Sequence, residues 1–548
     1  MGNSTMSLFM FNDLCQNVLK LVATRLVSLR LTLTNAIGGW SLISSSLKYQ
    51  TTLLQRLHLI NITPHEFDNL LRNPLIKGLH TLLVDVTSSS PFHYLDGEGV
   101  YLTKVCSQVP LLKNCRLPFN VYHKGRYDVD KYSALSIMSL PSLLNTTHLR
   151  TLSIGMNTSR FLKRLITCIP FIENLSVGVQ DLEMNQKESF DIISLPVAVD
   201  AHLLLYLSRL HINCKDCISF HRAIALFSSV FGQLRHLSLK LETGVVISSP
   251  LTISGDIIQE LCVDRLNPEA IYNLNLNLYV EHDAKEKIIF NSFLTAPFTN
   301  RQRSKVFIQE LISDDVDHNC HYFTVFTLPC YERKLPTYMF SRALEKSCPM
   351  PIHAADLFPR ANELFLHGYR NENCVLELGN ITSSISSLVP WSSLTKISID
   401  NSDVVLTAEL ESILRMAYNV HSLYIWENTG IFRHAIIHNI NNLGTLINQQ
   451  VQTLEIVFFI IHDSYLGLRW TSLPMIDRKN KSTKRILKLI YFLVVHLQQL
   501  VSLRINFINL VGSRTSCYPH LIQQRVHQYP IRRPYRLRCG RGRIEMWL

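Results

Sequence analysis

The chain has 548 residues, 47% hydrophobic and 18% charged, a globular composition that excludes a disordered or low-complexity protein. That length exceeds one ordinary core and implies either several compact domains or one elongated repeat array. The formal net charge of +12 is concentrated: RKNKSTKR at 478–485 holds five basic residues and no acidic one, and the last thirty residues hold seven Arg against Glu545 alone. The main body is close to neutral and lacks the basic stripe of a nucleic-acid binder.

Residues 1–25 read as one amphipathic helix. A pattern of Leu-x-x-Leu-x-Leu, any large aliphatic being allowed, then starts at Leu26, Leu54 and Leu79 and returns at Leu149, Ile172, Leu207, Leu234 and Ile271. The last two aliphatics of each copy alternate with polar residues, the period of a strand with one buried face. Between copies, SRFLKRLITCIPFI (159–172) and SFHRAIALFSSVF (219–231) carry apolar residues at three- and four-residue spacing and read as helices. KVFIQELI (305–312) and YFTVFTLPCY (322–331) flank a polar loop and predict a β-hairpin inserted between two arcs of the array.

The pattern resumes weakly at Ala361, then at Leu394, Val420, Val451 and Leu500, with helices expected over 409–418 and 482–500. In the last stretch, Tyr535, Leu537 and Cys539 alternate with Arg536 and Arg538, and Ile544, Met546 and Trp547 follow a Gly-Arg-Gly turn. This predicts a terminal β-hairpin that covers the last repeat beside Leu503 and Ile505, with Trp547 buried and the arginines facing solvent. A dozen such copies alternating with helices predict an α/β leucine-rich-repeat solenoid, its parallel sheet on the concave side and its helices on the convex side. The expected divisions are an N-terminal arc over 1–280, an irregular segment with the hairpin over 281–350, and a C-terminal arc with its cap over 351–548.

Chemical signatures are sparse. Cys214 and Cys217 form one Cys-x-x-Cys beside His211, but a structural zinc site needs a second pair. Asp314, Asp315, Asp317, His318, Cys320 and His321 crowd the hairpin loop at no recognised ligand spacing, and Asp-rich turns are ordinary. Gly97-Glu98-Gly99 lacks the third glycine of a dinucleotide loop, and the phosphate-loop, zinc-protease and hydrolase motifs are absent from the sequence. The expectation is no enzyme, no cofactor and no metal site. Thirteen scattered cysteines fit a reducing compartment. The N-terminal stretch lacks the basic n-region of a secretion signal, and the apolar run Ile486–Leu500 is too short and too polar to span a bilayer. The expected location is cytoplasmic or nuclear, with RKNKSTKR either an import signal or a solvated loop preceding the helix from Ser482.

The concave face carries the strongest functional signal. Side chains in the third, fifth and seventh slots of each repeat point away from the core, and these include His211, His236, Asn275, Phe365, Tyr424 and Trp426. Aromatics on an outward sheet face have few structural reasons to be there and dominate binding hot spots.

With these repeats in view, the stretches SLPSLLNTTHLRTLSIGMNTSRFL, SLVPWSSLTKISIDNSDVV, RMAYNVHSLYI and RRPYRLRCGRGRIEMWL resemble the divergent leucine-rich-repeat bodies of invertebrate F-box proteins. The resemblance implies a body that holds the substrate of a cullin ubiquitin ligase, with an F-box helix bundle docking a Skp-type adaptor. An F-box opens with a Leu-Pro pair followed by about forty helical residues; here the first repeat starts at Leu26, so an adaptor partner is expected only if an F-box stands upstream. The expected partner is a protein on the concave face, with no membrane and no nucleic acid. Two alternatives stay open: a nucleic-acid or nuclear-structure binder using the basic C-terminal end, and an unrecognised enzyme with its site near the hairpin.

Overall fold

A computed structural model describes residues 7–33, 39–47, 53–62, 64–85, 100–117, 143, 145–156, 159–179, 195–245, 251–281, 286–300, 305–312, 320–340, 344, 353–366, 387–399, 407–427, 442–459, 475–508, 519–540 and 543–548. The chain divides into two compact units, one formed by 17–34 and 38–328, the other by 1–16, 35–37 and 329–548. Each is α/β and built on one mostly parallel sheet, and neither sheet closes into a barrel.

In the unit that ends at residue 328, nine parallel strands follow one another in sequence order. They are β1 (Ser28–Thr32), β2 (Arg56–Ile60), β3 (Thr81–Asp85), β4 (Asn114–Arg116), β5 (Thr151–Met156), β6 (Asn174–Val179), β7 (Arg209–Cys214), β8 (His236–Val245) and β9 (Ile271–Glu281). The hairpin β10 (Lys305–Ile312) and β11 (Cys320–Leu328) then adds antiparallel, β11 against β9 and β10 outermost. It forms where the sequence places it, after the last parallel strand of this sheet and before the first strand of the other.

The repeat spacing works because one carbonyl serves two donors. The residue after each first aliphatic directs its C=O at the next strand, where two consecutive N–H groups donate to it. His80 and Thr81 donate to Gln55 O at 2.8 and 3.0 Å, Glu173 and Asn174 to Arg150 O, and Arg235 and His236 to Ser208 O. This fork sets the register, and the register aligns the aliphatics: Leu57, Leu82, Cys115, Leu152, Leu175, Leu210 and Leu237 stand in one row and all are buried. Fully burying each Leu or Val stabilises by roughly 1.5–3 kcal/mol. Helices such as Ser159–Cys168 and Cys217–Phe227 pack against the strands and bury Phe161, Leu165, Phe220 and Phe227.

Two repeats differ from the sequence reading. Leu112-Cys115-Leu117 is a full repeat with strand β4, hidden because Cys takes a Leu slot. The repeat read from Ile271 is displaced by two residues: Ile271 pairs with His236 and is 48% exposed, while Tyr272 takes the buried slot beside Leu237. The Tyr272 hydroxyl donates to Phe298 O at 2.7 Å, which lets a tyrosine replace the aliphatic there. Asn61 and Asn145 have φ of 58° and 59°, the left-handed region that Asn tolerates better than other side chains.

The other unit carries β12 (Lys334–Pro336), β13 (Glu363–Leu366), β14 (Lys396–Ile399), β15 (Ser422–Glu427), β16 (Thr453–Phe459) and β17 (Ser502–Ile508), parallel and in sequence order. The fork recurs: His421 and Ser422 donate to Thr395 O, and Gln452 and Thr453 to His421 O. The helices Thr407–Met416 and Leu443–Gln450 connect these strands, and Met475–His496 leads into β17. That last helix begins well before Ser482, so the basic stretch 478–485 is helical and not a loop. Among the described residues, no helix is long and apolar enough to cross a membrane.

The unit ends in the expected hairpin, β18 (Arg536–Gly540) with β19 (Arg543–Trp547), and β19 lies antiparallel between β17 and β18. Met546 and Ile544 pair with Leu503 and Ile505. Trp547, one residue out of phase with them, falls on the opposite face. It is 1% exposed because Phe11, from the helix Leu8–Asp13, packs edge-on against it at 5.3 Å. The Leu8 N–H also donates to Leu548 O at 3.0 Å.

The arginines of this end do not all face solvent. Arg533 donates to the carbonyls of Val494, Leu497, Gln498 and Leu500 at 2.8–3.0 Å, satisfying the final carbonyls of the Met475–His496 helix and the turn after it. Arg543 is largely buried, and its guanidinium is held below its usual pKa by burial and by Arg504.

Candidate protein-binding surface

Strand alternation gives one face of the second sheet mainly to polar and aromatic side chains, with Val457 beside Trp426 an aliphatic among them, and the register sorts them into rows. One row runs Phe365, Ser398, Tyr424, Glu455, Arg504, Glu545, Arg538 across consecutive strands. A second runs Lys334, Glu363, Lys396, Ser422, beginning on β12. Aromatic residues therefore stand at one end of the face and a charge ladder at the other.

At the aromatic end, Lys334 Nζ lies 3.4 Å from the centre of the Phe365 ring. Lys396 Nζ lies 5.4 Å from the Tyr424 ring and 3.2 Å from Glu363 Oε1. The Ser398 hydroxyl donates to the same Glu363 oxygen at 2.6 Å. Trp426 Nε1–H donates to the Tyr424 hydroxyl. Phe365, Tyr424 and Trp426 are each half-buried, their rings oriented by these cations and by one another.

At the charged end, Glu455 lies 3.6 Å from Arg504 and accepts from Asn506 at 2.6 Å. Glu545 takes Arg504 at 3.3 Å and Arg543 at 2.7 Å on one oxygen and Arg538 at 3.2 Å on the other. Arg504 is nearly buried. Its two carboxylates compensate the desolvation it suffers there.

His211, His236 and Asn275 lie on the first sheet, so the six expected binding residues do not share one sheet. His211 Nδ1 is 2.8 Å from the Ser238 hydroxyl, and His236 Nε2 is 3.0 Å from Asn273 Nδ2. Burial, aided by Arg209, lowers the pKa of His236. Asn275 pairs with Lys240 and, on its other side, with Phe326.

The same sheet holds a cluster that sequence reading missed. His58 Nε2 is 2.7 Å from Asp85 Oδ2, and Arg116 Nη1 is 3.1 Å from Asp85 Oδ1, the three residues belonging to three successive strands. Burial opposes ionisation of Asp85, but Arg116 and the hydrogen bonds from both neighbours outweigh it and hold the carboxyl below its usual range. Their sequence separation of about thirty residues leaves no local signal.

Cys214 is buried, and Cys217 Sγ lies 3.4 Å from Gly244 O and 3.6 Å from the Thr243 hydroxyl, its thiol pushed up by burial. Among the described residues, no group of three or more His, Cys, Asp or Glu is placed to hold a metal. Cys320 and His321 open β11. Asp314, Asp315, Asp317, His318 and Gly97-Glu98-Gly99 lie outside the described residues.

No family model matches the chain, and no curated protein matches it.

Proposed function

We propose that this chain is a non-catalytic protein-binding scaffold: an irregular leucine-rich-repeat solenoid whose concave face recognises a partner. By its resemblance to divergent F-box proteins, the body recruits substrate to a ubiquitin ligase. The observation that carries the reading is the row Phe365, Ser398, Tyr424 with Trp426 beside it. It sets three oriented aromatics on two strands of one sheet, Phe365 on β13 and Tyr424 and Trp426 on β15, with Ser398 of β14 between them, where little conformational entropy is lost on binding. The absence of hydrolase, nucleotidase and zinc-protease motifs from the sequence supports a role without catalysis.

The test is affinity purification from cells with quantitative mass spectrometry, comparing the unaltered chain with Tyr424→Ala/Trp426→Ala. The expected result is a discrete set of proteins lost by the variant at unchanged thermal midpoint. Fusing an F-box helix bundle ahead of Met1 should then produce ubiquitin chains on members of that set and not on others. An unchanged set would refute recognition by this face. A set lost normally but never ubiquitylated would refute the ligase role alone.

A further inference from the structure

We propose that the polar face of the first sheet holds a phosphate-binding site at its β1 end, where Arg30 and Arg56 take the phosphoryl group of a phosphorylated serine or threonine in a protein partner. This rests on the reading of the chain as a protein-binding scaffold, but on none of the aromatic residues of the second sheet.

Register builds the site. Leu29 and Leu31 are buried, and Arg30 between them is exposed on the opposite face. Arg30 pairs with His58 and Ser28 with Arg56, so the two arginines are diagonal neighbours on β1 and β2. Their Cα atoms stand about 8 Å apart at the usual strand spacing and rise, and two such long side chains can converge on one small anion.

Charge is the next argument. Asp85 is the single acidic residue of β1–β4. It is already answered, Oδ2 by His58 at 2.7 Å and Oδ1 by Arg116 at 3.1 Å. Arg30 and Arg56 are both exposed. Among the described residues, neither guanidinium has an ion pair, a hydrogen bond or a ring contact. Like charges on adjacent strands repel, and an anion from outside relieves that repulsion.

The number of arginines selects phosphate over carboxylate. Arg116 shows that one guanidinium answers a carboxylate, its Nη1 lying 3.1 and 3.3 Å from the two oxygens of Asp85. A phosphoryl group carries about −1.5 to −2 charge and three acceptor oxygens. Two planar forks on neighbouring strands match that group.

The surroundings select protein over nucleic acid. None of the residues of β1–β4 is Phe, Tyr or Trp, so bases find no ring to stack on. Half-buried Ile60 and Leu83 stand on the same face as His58 and Asp85, where they suit aliphatic side chains next to the phosphorylated residue. Nucleic acid also asks for cations at successive phosphates, whereas β5 and β6 continue this face with Thr151, Ser153, Asn174 and Ser176.

The experiment uses the full chain and fluorescent peptide libraries with degenerate flanks around one fixed residue: phosphoserine, serine or glutamate. A single-stranded oligo-dT of matched length is the fourth probe, and anisotropy is read at low and moderate salt. Expected is binding of the phosphoserine library that weakens with salt, and none of the serine library. Affinity should fall at least tenfold in Arg30→Gln/Arg56→Gln at unchanged thermal midpoint, and severalfold in each single variant, which keeps the test valid should the pair impair folding. Arg72→Gln/Lys77→Gln, exposed residues outside the sheet, should bind as the unaltered chain does. No binding of the phosphoserine library, or equal binding by the Arg30 and Arg56 variants, overturns the proposal. Glutamate peptides binding as tightly overturn the choice of phosphate, and oligo-dT binding tighter and lost in the arginine variants overturns it in favour of nucleic acid. Partner loss in Tyr424→Ala/Trp426→Ala is read separately and would still uphold the scaffold role.

Discussion

Arg504 and Glu545 are cross-strand partners on β17 and β19, joined at 3.3 Å with both side chains largely buried. The bond ties the terminal hairpin to the last parallel strand through charge, beside the apolar pairs Leu503 with Met546 and Ile505 with Ile544.

Glu545→Ala removes the carboxylate that Arg504, Arg538 and Arg543 share, leaving Glu455 beside Arg504 among the described residues. The expected loss is about 3 kcal/mol of stability in urea unfolding, because removing one member of a buried ion pair strands the others. Adding Arg504→Met should return part of that loss. A double variant no more stable than Glu545→Ala would mean the cluster does not act as a unit.

Phe11 and Trp547 offer a second test. Trp547→Ala should lower stability by about 3–5 kcal/mol as a core truncation, and Phe11→Ala by a comparable amount. A double-mutant cycle should reveal about 1 kcal/mol of coupling beyond the two single losses, the size of an edge-to-face pair. Strict additivity would show that the ring contact contributes nothing of its own.

In the first unit, Gly255 opens the helix Gly255–Leu261 where a Cβ would stand 2.3 Å from Ser292 O and 2.7 Å from Phe293 Cα. Those are backbone atoms of a neighbouring helix and have no rotamer in which to yield. Gly255→Ala is expected to destabilise by about 2 kcal/mol through overpacking, read as a lower melting temperature. A neutral outcome would mean the two helices separate freely.

Acid should weaken the fold at mild pH. His221, His236 and His421 all have their pKa lowered, first by burial. The unfolded chain titrates these residues near 6.5, so below that pH it binds more protons than the folded chain. Their contribution is complete above pH 6.5 and is lost progressively as pH falls through and below it. The urea midpoint should drop between pH 7.5 and 5.5, and the drop should shrink in His221→Gln/His236→Gln/His421→Gln. A triple variant with the same pH slope would assign the loss to other groups.

Leu152, Leu175 and Leu210 disclose their strands because each is a large aliphatic at fixed spacing with a polar neighbour on either side. Cys115 hides the same arrangement, since a thiol fills a leucine slot without resembling one. Lys334-Leu335-Pro336 is too short to show any period, and β12 with its lysine was missed for that reason. Phe365, Tyr424 and Trp426 were legible as outward residues from alternation alone. What holds them was not, because Lys334 reaches Phe365 and Lys396 reaches Tyr424 across strands about thirty residues apart. Trp547 was legible as a buried residue, but its contact with Phe11, at the far end of the sequence, was not.

The order of the strands bears on how the chain comes off the ribosome. From β2 to β9, and from β13 to β17, each strand bonds the one synthesised just before it, so its partner is already waiting when it emerges. Growth by addition at an edge keeps the sequence separation of contacts short, which favours rapid pairing. The hairpins depart from this order, since β10 and β18 are each made before the strand that joins them to the sheet. The helix Leu8–Asp13 departs furthest. It is translated early, yet Phe11 finds the Trp547 ring and Leu8 finds the Leu548 carbonyl only when translation has reached them. For most of synthesis the apolar side of that helix lacks these contacts, and this is the interval in which a nascent chain of this sequence most needs a chaperone.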